Sequence, residues 1–442
     1  MSGVRSMART RGFAAAGVVA LSTLLPAAAL GQGFLRWPQG PRATAMGGAG
    51  AGLAAGPEAA FHSPAGIAWL EGTQIQTGGR LSAGGGSFHA FGQGTRDFDR
   101  EAEAAVAPAL FATHAIAENL TGGLSITSPW AMDVVWERPD SFAGRFLTSG
   151  SQLSSLDASL TLAYRAGERW SLSIGPDVVY LRLDRDRLAH DPELSALGGG
   201  GPIPLARAGY DVDGTAISWS AGVFGRPRPG VSLGAVYRHA VEVSLEGLVD
   251  FTIVAPEELK ALIRGDQTIG EILEETYIDQ SARVEVPLPA VLSLGAAWDP
   301  VPSVTLAADV QRIGWGELDE LDFTPLGTAP ADPVALGWQD VWAWRIGAEA
   351  RTPGGLALRI GYAREESPAP RGGVTPLFPD AEREALSAGA GFDWRGTGVE
   401  VAYRLTVLDD REGVALPSET ADPDGVYEST EHDLSIAVTR RF

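Results

Sequence analysis

Hydrophobic and polar positions alternate with a period of two in many stretches of about ten residues along this chain. The clearest stretch closes the sequence, where Leu434, Ile436 and Val438 share one face of an extended strand and Ser435 and Thr439 share the other. Such stretches, separated by turn residues, are typical of strands that cross a membrane as a closed β-barrel. A soluble β-sandwich has the same alternation, so the connections between strands must separate the two folds.

Short and long connections alternate along the chain, which favours the barrel. Six turns span only a few residues, and seven long polar connections lie between them. Thirteen connections join about fourteen antiparallel strands. Because this number is even, and the first and last connections are long, both ends of the barrel chain lie on the side of the short turns. The short turns are at 117–119, 166–169, 226–230, 300–302, 353–355 and 395–397, and the long connections are at 93–104, 132–143, 186–210, 250–282, 315–338, 365–382 and 409–430.

Aromatic residues recur beside the short turns, as expected of side chains that anchor a barrel at the membrane–water interface. Any one of them alone fits ordinary core packing, and only their repetition indicates a membrane interface. We therefore predict an all-β fold, a transmembrane antiparallel β-barrel. Its predicted aromatic girdle consists of Tyr164, Trp170, Phe224, Trp298 and Trp394.

The N-terminus has the organisation of a secretory signal peptide. Arg5, Arg9 and Arg11 precede an apolar run over residues 13–25, which is followed by small residues. A transmembrane anchor is the alternative, but an anchor requires about twenty uninterrupted apolar residues. We assign residues 1–31 to a signal peptide.

The next segment, residues 32–72, shows neither the period of two nor a long amphipathic helix, and it is rich in Gly and Ala. An unpaired segment of this kind cannot cross a membrane, because its backbone polar groups would lack partners. A barrel of about fourteen strands encloses an open lumen unless something fills it. We therefore predict that residues 32–72 form a plug, or hatch, inside a barrel built from residues 73–442.

Composition and charge exclude several classes of function. The 442-residue chain contains no Cys, which excludes disulfide scaffolds, thiolate metal sites and Cys nucleophiles. Its formal net charge is −21, whereas nucleic-acid phosphates require a basic face. No nucleophile elbow, zinc-protease helix motif or phosphate-binding loop occurs, and the six His residues lie far apart. The sequence predicts no catalytic residue, no metal site and no cofactor, and hence a protein that is not an enzyme.

The start of the predicted hatch resembles a known family. Gly33 and Phe34 are followed by a Gly-rich stretch over residues 42–52 and by the sequence His-Ser-Pro-Ala-Gly over residues 62–66. Together with weaker motifs in the same order along most of the chain, these features resemble the FadL/TodX-type outer-membrane transporters of long-chain fatty acids and hydrocarbons. In the family an Asn usually stands at the position of Ser63. The hatch residues that carry the resemblance are Ser63, Pro64 and Ala65.

The resemblance implies a location and an activity. The location is the outer membrane of a Gram-negative bacterium, and the activity is passive passage of hydrophobic molecules through the plugged barrel. It also places Phe34 among the ligand-binding residues. The expected partners are hydrophobic small molecules and outer-membrane lipid, with no nucleic acid, and the protein is expected to be a monomer.

The strand that contains Arg182 bears on the chemistry of the ligand. Val179 and Leu181 share an apolar face, so Tyr180 and Arg182 are predicted to face the lumen, which requires a bulge near Gly175. By resemblance, Arg182 matches a family Arg that helps to hold the fatty acid carboxylate, and Tyr180 joins it in the predicted ligand site. The alternative is that a neighbouring lumen acid satisfies the charge of Arg182.

A group of acids argues against a carboxylate ligand. Asp319, Glu320 and Asp322 occupy a loop where the fatty acid transporters have Gln and Lys. Acids near a single lumen Arg lower its attraction for a carboxylate. A neutral hydrocarbon or aromatic molecule is therefore the alternative substrate.

The long connection over residues 250–282 contains two groups of apolar residues at helical spacing, which predict two short amphipathic helices. These helices form either an apolar landing groove for the ligand or a cap over the barrel mouth. The groups are Leu259, Leu262 and Ile263, which we include in the predicted ligand site, and Ile269, Ile272 and Leu273.

The third strand offers a lateral exit for the ligand, as the resemblance implies. Ser128 and Pro129 lie near its upper end, and Pro cannot donate a hydrogen bond to the strand ladder. The competing class of function is a structural or interaction barrel, such as those of secretion systems. An outer-membrane lipase is a third class, for which the sequence contains no visible nucleophile constellation.

Overall fold

The computed structural model describes residues 33–91, 97–101, 104–197, 202–370, 373–413 and 425–442. The predicted signal peptide, residues 1–31, lies outside the described residues.

Fourteen antiparallel strands form a closed barrel, which confirms the predicted fold and strand number. The barrel closes between the first and last strands, which pair from Gln74 with Arg441 to Ala90 with Gly425. All six short turns lie where the sequence predicts them. The strands are β1 (Thr73–Ala90), β2 (Ala104–Ala117), β3 (Leu120–Thr127, continued by Ala131–Val135), β4 (Gly150–Ala166), β5 (Trp170–Ala189), β6 (Ala206–Arg228), β7 (Val231–Arg238 and Val241–Ile253), β8 (Gln280–Leu288 and Val291–Val301), β9 (Val304–Ile313), β10 (Val341–Arg351), β11 (Leu356–Glu365), β12 (Arg383–Trp394), β13 (Thr397–Leu408) and β14 (Gly425–Arg441).

The remaining elements are short and lie in the N-terminal segment or in the long connections. In the described part of the chain, every helix is too short or too polar to cross a membrane. The helices are α1 (Pro41–Ala45), α2 (Ala59–His62), α3 (Pro192–Leu197), α4 (Glu257–Lys260) and α5 (Ile269–Thr276), with 3-10 turns at Pro64–Trp69 and Trp315–Glu317. Short extra strands are at Asp97–Asp99, Ile263–Arg264, Gln267–Thr268, Glu320–Pro325, Asp332–Ala335 and Arg411–Gly413.

The outer surface of the barrel is apolar because the strands alternate. In β14, Leu434, Ile436 and Val438 are exposed on the outer face, whereas Ser435 and Thr439 are buried on the inner face. This alternation is the one predicted from the sequence, and it presents apolar side chains to lipid.

The predicted aromatic girdle is correct at four of its five positions. Phe224 is the exception: the alternation of β6 turns it inward, where it is 1% exposed and packs on Trp69 with ring centroids 6.5 Å apart. The four residues that are exposed on the outer face beside short turns are Tyr164, Trp170, Trp298 and Trp394.

Strand β5 corrects the prediction for Arg182. No bulge interrupts the alternation of β5 near Gly175. Val179 and Leu181 are therefore buried on the inner face, while Tyr180 and Arg182 occupy outward-facing positions. The prediction was wrong because it assigned the apolar face to lipid. The lumen at the long-loop end is itself apolar, and polarity alone therefore does not identify the inner face.

The long connection between β7 and β8 also differs from its prediction. The first predicted helix is only α4, which buries Leu259, while Leu262 and Ile263 are exposed. Ile263 instead begins a two-stranded hairpin that turns at Gly265, whose φ is +70°. The second helix, α5, is confirmed, and it starts at a capping box between Thr268 and Glu271.

The N-terminal segment, residues 33–70, contacts the inner faces of strands around the barrel. Asp309 of β9 accepts a hydrogen bond from the backbone N–H of Gly50 at 2.8 Å. On β5, the hydroxyl of Ser171 donates to the carbonyl of Ala65 at 2.7 Å. Most of the segment's side chains are buried by these strands.

Buried ion pairs join the same segment to the strands. Arg36 contacts Glu431 of β14 at 2.6 Å, and Arg42 contacts Glu349 of β10 at 3.1 Å. All four side chains are less than a tenth exposed. Removing one partner of such a pair leaves an uncompensated buried charge, so these contacts hold the segment in one position.

Candidate functional site

The ladder of hydrogen bonds between β2 and β3 stops shortly before Pro129, where the pairing of β3 with β4 shifts by one residue between Thr127 and Ala131; we call this interruption the kink of β3. The last pair is Leu110 with Ile126, and Thr127 pairs only with Asp157 of β4. Beyond the kink, the ladder of the continuation Ala131–Val135 is formed with β4, and at its far end the carbonyl of Val135 also accepts a hydrogen bond from the N–H of Glu101, just before β2, at 2.8 Å. Among the described residues, no ladder pair joins this continuation to β2 itself.

The N-terminal segment attaches to the kink of β3 by backbone hydrogen bonds. The N–H of Ala131 donates to the carbonyl of Phe34 at 2.9 Å, and the N–H of Arg36 donates to the carbonyl of Pro129 at 2.6 Å. Leu35 and Trp130 thus face each other as an isolated antiparallel bridge. Residues 34–36 satisfy backbone groups of β3 that β2 does not reach.

The ring of Phe34 is enclosed by four aromatic side chains, which we call the Phe34 cage. Its ring centroid lies 4.7 Å from that of Trp315 and 5.9 Å from that of Trp338. The corresponding distances are 6.1 Å to Trp130 and 6.3 Å to Phe378. Centroid separations in this range are favourable for aromatic pairs, and Phe34 is only 1% exposed.

Gly33 allows the approach of Phe34 to the cage. Its φ is +60°, a conformation that residues other than Gly rarely adopt. A Cβ at this position would lie 2.5 Å from the Trp338 ring and 2.9 Å from the Trp315 ring. Only Gly therefore fits between these two side chains and the backbone turn.

Two buried acids adjoin the cage, and one of them, Asp157 of β4, accepts a hydrogen bond from Nε1 of Trp130 at 3.1 Å. Asp380, in the connection between β11 and β12, accepts a hydrogen bond from the Ser367 hydroxyl at 2.5 Å and interacts with the backbone N–H of Gly33. Burial raises the pKa of Asp380 to about 6. Arg383 donates a hydrogen bond to the carbonyl of Leu35 at 3.2 Å. Its charge is balanced by an ion pair with Glu365 of β11.

From the cage, an apolar lining extends toward the long-loop end of the lumen. It is made of inward-facing side chains of several strands, all at most 3% exposed. A second apolar cluster lies in the long connections, with Leu259, Ile269, Leu273 and Tyr277 at its centre. The lining includes Leu181, Leu183, Val212, Val243, Leu245, Val284 and Phe323.

Arg182 and Tyr180 do not join this lining. The Arg182 guanidinium is half exposed and lies 3.1 Å from a carboxylate oxygen of Asp184 and 3.0 Å from one of Asp211. The strand has two inward-facing arginines, Arg185 and Arg187, which share Asp332 at 2.8 Å and 2.9 Å. The predicted lumen position of Arg182 is therefore wrong.

The acids Asp319, Glu320 and Asp322 also point away from the lumen. They are exposed, while the intervening Leu321 is 3% exposed and faces inward. These acids therefore do not set the charge of the ligand path, contrary to the expectation from the sequence. Leu262 and Ile263 are exposed as well, and of the predicted loop residues only Leu259 packs in an apolar cluster.

We expect Arg182→Ala to leave oleate binding almost unchanged. The side chain forms only partly exposed ion pairs on the outer face, and such pairs contribute about 0 to 1 kcal/mol. Binding of radiolabelled oleate to the purified variant should stay within about twofold of the original chain. A tenfold loss of affinity would place Arg182 in contact with the ligand and contradict this assignment.

The cage residues other than Phe34 were not identified from the sequence. Trp315 and Trp338 lie at the two ends of one long connection, whereas Trp130 lies between the two segments of β3 and Phe378 lies in the connection before β12, so no local spacing brings the four together. The positions of the three Trp residues in the sequence offered a signal: they lie beside long connections, away from the aromatic girdle at the short turns.

A closed barrel with an interrupted strand, whose inner faces contact the N-terminal segment, is the architecture of outer-membrane transport barrels. A family model described as "Outer membrane protein transport protein (OMPP1/FadL/TodX)" matches residues 26–439. The chain belongs to this family, whose members are transport proteins of the Gram-negative outer membrane.

Individual relatives support the same assignment. The "Long-chain fatty acid transport protein" of Salmonella typhi is 23% identical over 304 residues, which cover 67% of this chain and 68% of the relative. A Pseudomonas aeruginosa FadL homologue has a similar crystal structure, with a TM-score of 0.81 at 19% identity, covering 92% of this chain and 99% of that one. The P. putida toluene transporter TodX gives a TM-score of 0.72 at 19% identity, with the same coverage. At these identities, the structural similarity establishes the fold.

Proposed function

We propose that this protein passively conducts hydrophobic molecules, such as long-chain fatty acids or aromatic and aliphatic hydrocarbons, from the long-loop end into the membrane. The observation that carries the proposal is the docking of Phe34 in an aromatic cage at the point where β3 loses its pairing with β2. An apolar ligand and a phenyl ring compete for the same kind of enclosure. The N-terminal segment, residues 33–70, then acts as the plug.

The proposed path has three parts. A ligand enters through the apolar cluster around Leu259 and crosses the apolar lining of the lumen. It then takes the place of Phe34 in the cage, and residues 34–36 leave the kink of β3. The boundary between β2 and β3 beyond Ile126, where their ladder ends, becomes the lateral exit into the lipid.

The names of the relatives support the substrate class. One relative is named for long-chain fatty acids and another for toluene, and both kinds of molecule are largely apolar. Transport without energy coupling agrees with the absence of nucleotide-binding motifs from the sequence.

Uptake by whole cells tests the proposal. Cells with and without the gene are given labelled oleate or toluene, and the cells that carry the gene should accumulate one of them faster. Equal rates for both would contradict transport and favour the alternative, a structural or interaction barrel that uses its long connections as docking surfaces.

We expect Phe34→Ala to bind toluene more tightly than the original chain. The substitution leaves a phenyl-sized space lined by aromatic rings, and dry apolar cavities of this kind bind benzene-like molecules. In this variant the ligand no longer has to displace a buried phenyl ring, whose burial stabilises the closed state by about 1.5 to 3 kcal/mol. The affinity for toluene should therefore rise about tenfold or more. Equilibrium binding of labelled toluene to the purified protein measures the change.

Phe61→Ala is the matched control for this prediction. Phe61 is also a buried Phe of the N-terminal segment, but it packs on Trp37 outside the cage. Its replacement should leave toluene affinity unchanged. A weaker affinity for toluene in Phe34→Ala would mean that Phe34 contacts the bound ligand instead of occupying its place.

A further inference from the structure

The indole N–H groups of the lumen divide into two sets. Six Trp side chains lie inside the barrel in the described part of the chain, and four donate a hydrogen bond from Nε1. Their acceptors are protein oxygens at 3.0 to 3.3 Å. The four bonded residues are Trp37 to Gly48, Trp69 to Ser171, Trp130 to Asp157 and Trp136 to Pro376.

The other two indoles belong to the Phe34 cage. Nε1 of Trp315 and Nε1 of Trp338 are buried and have no acceptor among the described residues. The two side chains are 1% and 2% exposed. Buried polar groups in proteins almost always have a partner, so two unpaired donors in one enclosure indicate a partner that binds there.

The charge around the cage restricts the chemistry of that partner. In the described part of the chain, no arginine stacks on any ring of the cage, whereas arginines do stack on Trp37 and Phe323 elsewhere in the lumen. Two buried acids adjoin the cage: Asp157, which accepts a hydrogen bond from Trp130, and Asp380, which interacts with Gly33 beside the two indoles. An anion placed in the cage would lose its hydration close to these two carboxyl groups, and Arg383, the arginine that reaches Leu35 beside the cage, is already paired with Glu365.

We propose that the cage binds a neutral amphiphile, an apolar molecule that ends in an oxygen such as that of a ketone, an alcohol or an ester. This inference rests on the proposed function and specifies its substrate. The terminal oxygen accepts hydrogen bonds from Trp315 and Trp338, and the hydrocarbon chain lies along the apolar lining. Phe34, which has no acceptor, holds the cage closed while those donors remain unpaired.

Three ligands of equal chain length test the proposal: 2-undecanone, undecane and undecanoate. Each is measured by competition with labelled toluene on the purified, amphipol-held protein at pH 8. The variants are Trp315→Phe and Trp338→Phe, each alone, because Phe keeps an aromatic ring and removes the N–H. Trp136→Phe is the control, since its N–H already bonds to Pro376 outside the cage. Variants that fold are identified on gels by a change in migration when the sample is heated.

Each cage variant should weaken 2-undecanone about fivefold to tenfold and undecane less than twofold, while the Trp136→Phe protein binds both as the original chain does. Equal small effects on ketone and alkane would overturn the inference and leave transport of hydrocarbons intact. An undecanoate affinity that exceeds the ketone affinity and falls equally in the variants would overturn the neutral headgroup. Failure of the original chain to bind toluene or any of the three ligands would instead count against the proposed function.

Discussion

Deletion of residues 33–66 is expected to leave a folded barrel that conducts ions through an open lumen. The strand ladder closes without this segment, because β1 and β14 pair directly along their whole lengths. The carboxylates that the segment buries, such as Glu431 and Glu349, would meet water in the emptied lumen, so their charges would remain solvated. Planar-bilayer recordings should show large, steady conductance where the intact protein shows little.

The control for this deletion removes residues 263–268, the exposed hairpin of a long connection. That loss leaves the lumen filled and should leave the conductance low. Loss of heat-modifiable migration after deletion of residues 33–66 would mean that the barrel needs the segment for folding. A folded deletion variant that stays closed would show that other parts of the chain block the lumen.

The strand pattern could be predicted from the sequence because membrane strands follow a strict physical rule. Lipid accepts only apolar side chains, so the outer face of β14 alternates cleanly with its inner face. The short turns are equally visible, since they must reverse the chain within a few residues. Both constraints act on neighbouring residues, so short stretches of sequence are sufficient to predict the strands and the turns.

The inner face of β5 could not be predicted in the same way. Before Val179 the inward residues are polar, such as Ser171 and Ser173, whereas the two that follow it, Leu181 and Leu183, are apolar. The change of character looks like a change of face if only polarity is considered. The strand in fact keeps its register, and the lumen changes from polar to apolar along its length.

The Phe34 cage was beyond sequence reasoning for a different reason. Its members come from the N-terminal segment, the β3 kink and connections near β9, β10 and β12, and only the closure of the barrel brings them together. Phe34 itself was identified through the family resemblance. The unpaired N–H groups of Trp315 and Trp338 depend on their three-dimensional surroundings and leave no trace in spacing.

A disulfide between residues 35 and 130 is expected to stop transport reversibly. Leu35 and Trp130 form a bridge whose neighbouring residues make the hydrogen bonds, so they are a non-hydrogen-bonded antiparallel pair. In such a pair the Cα atoms are about 4.5 Å apart, within the range that a disulfide spans. The chain has no native Cys, so Leu35→Cys with Trp130→Cys forms the intended bond alone.

The oxidised double variant should lose uptake of labelled oleate and toluene, because residues 34–36 can no longer leave the kink of β3. Reduction with dithiothreitol should restore the rate to that of the reduced variant before oxidation. The two single Cys variants are the controls: they report the effect of losing each buried side chain, and oxidant should not change their rates. If the cross-linked protein transports at the reduced rate, the N-terminal segment does not need to detach from β3, and the ligand must leave by another route.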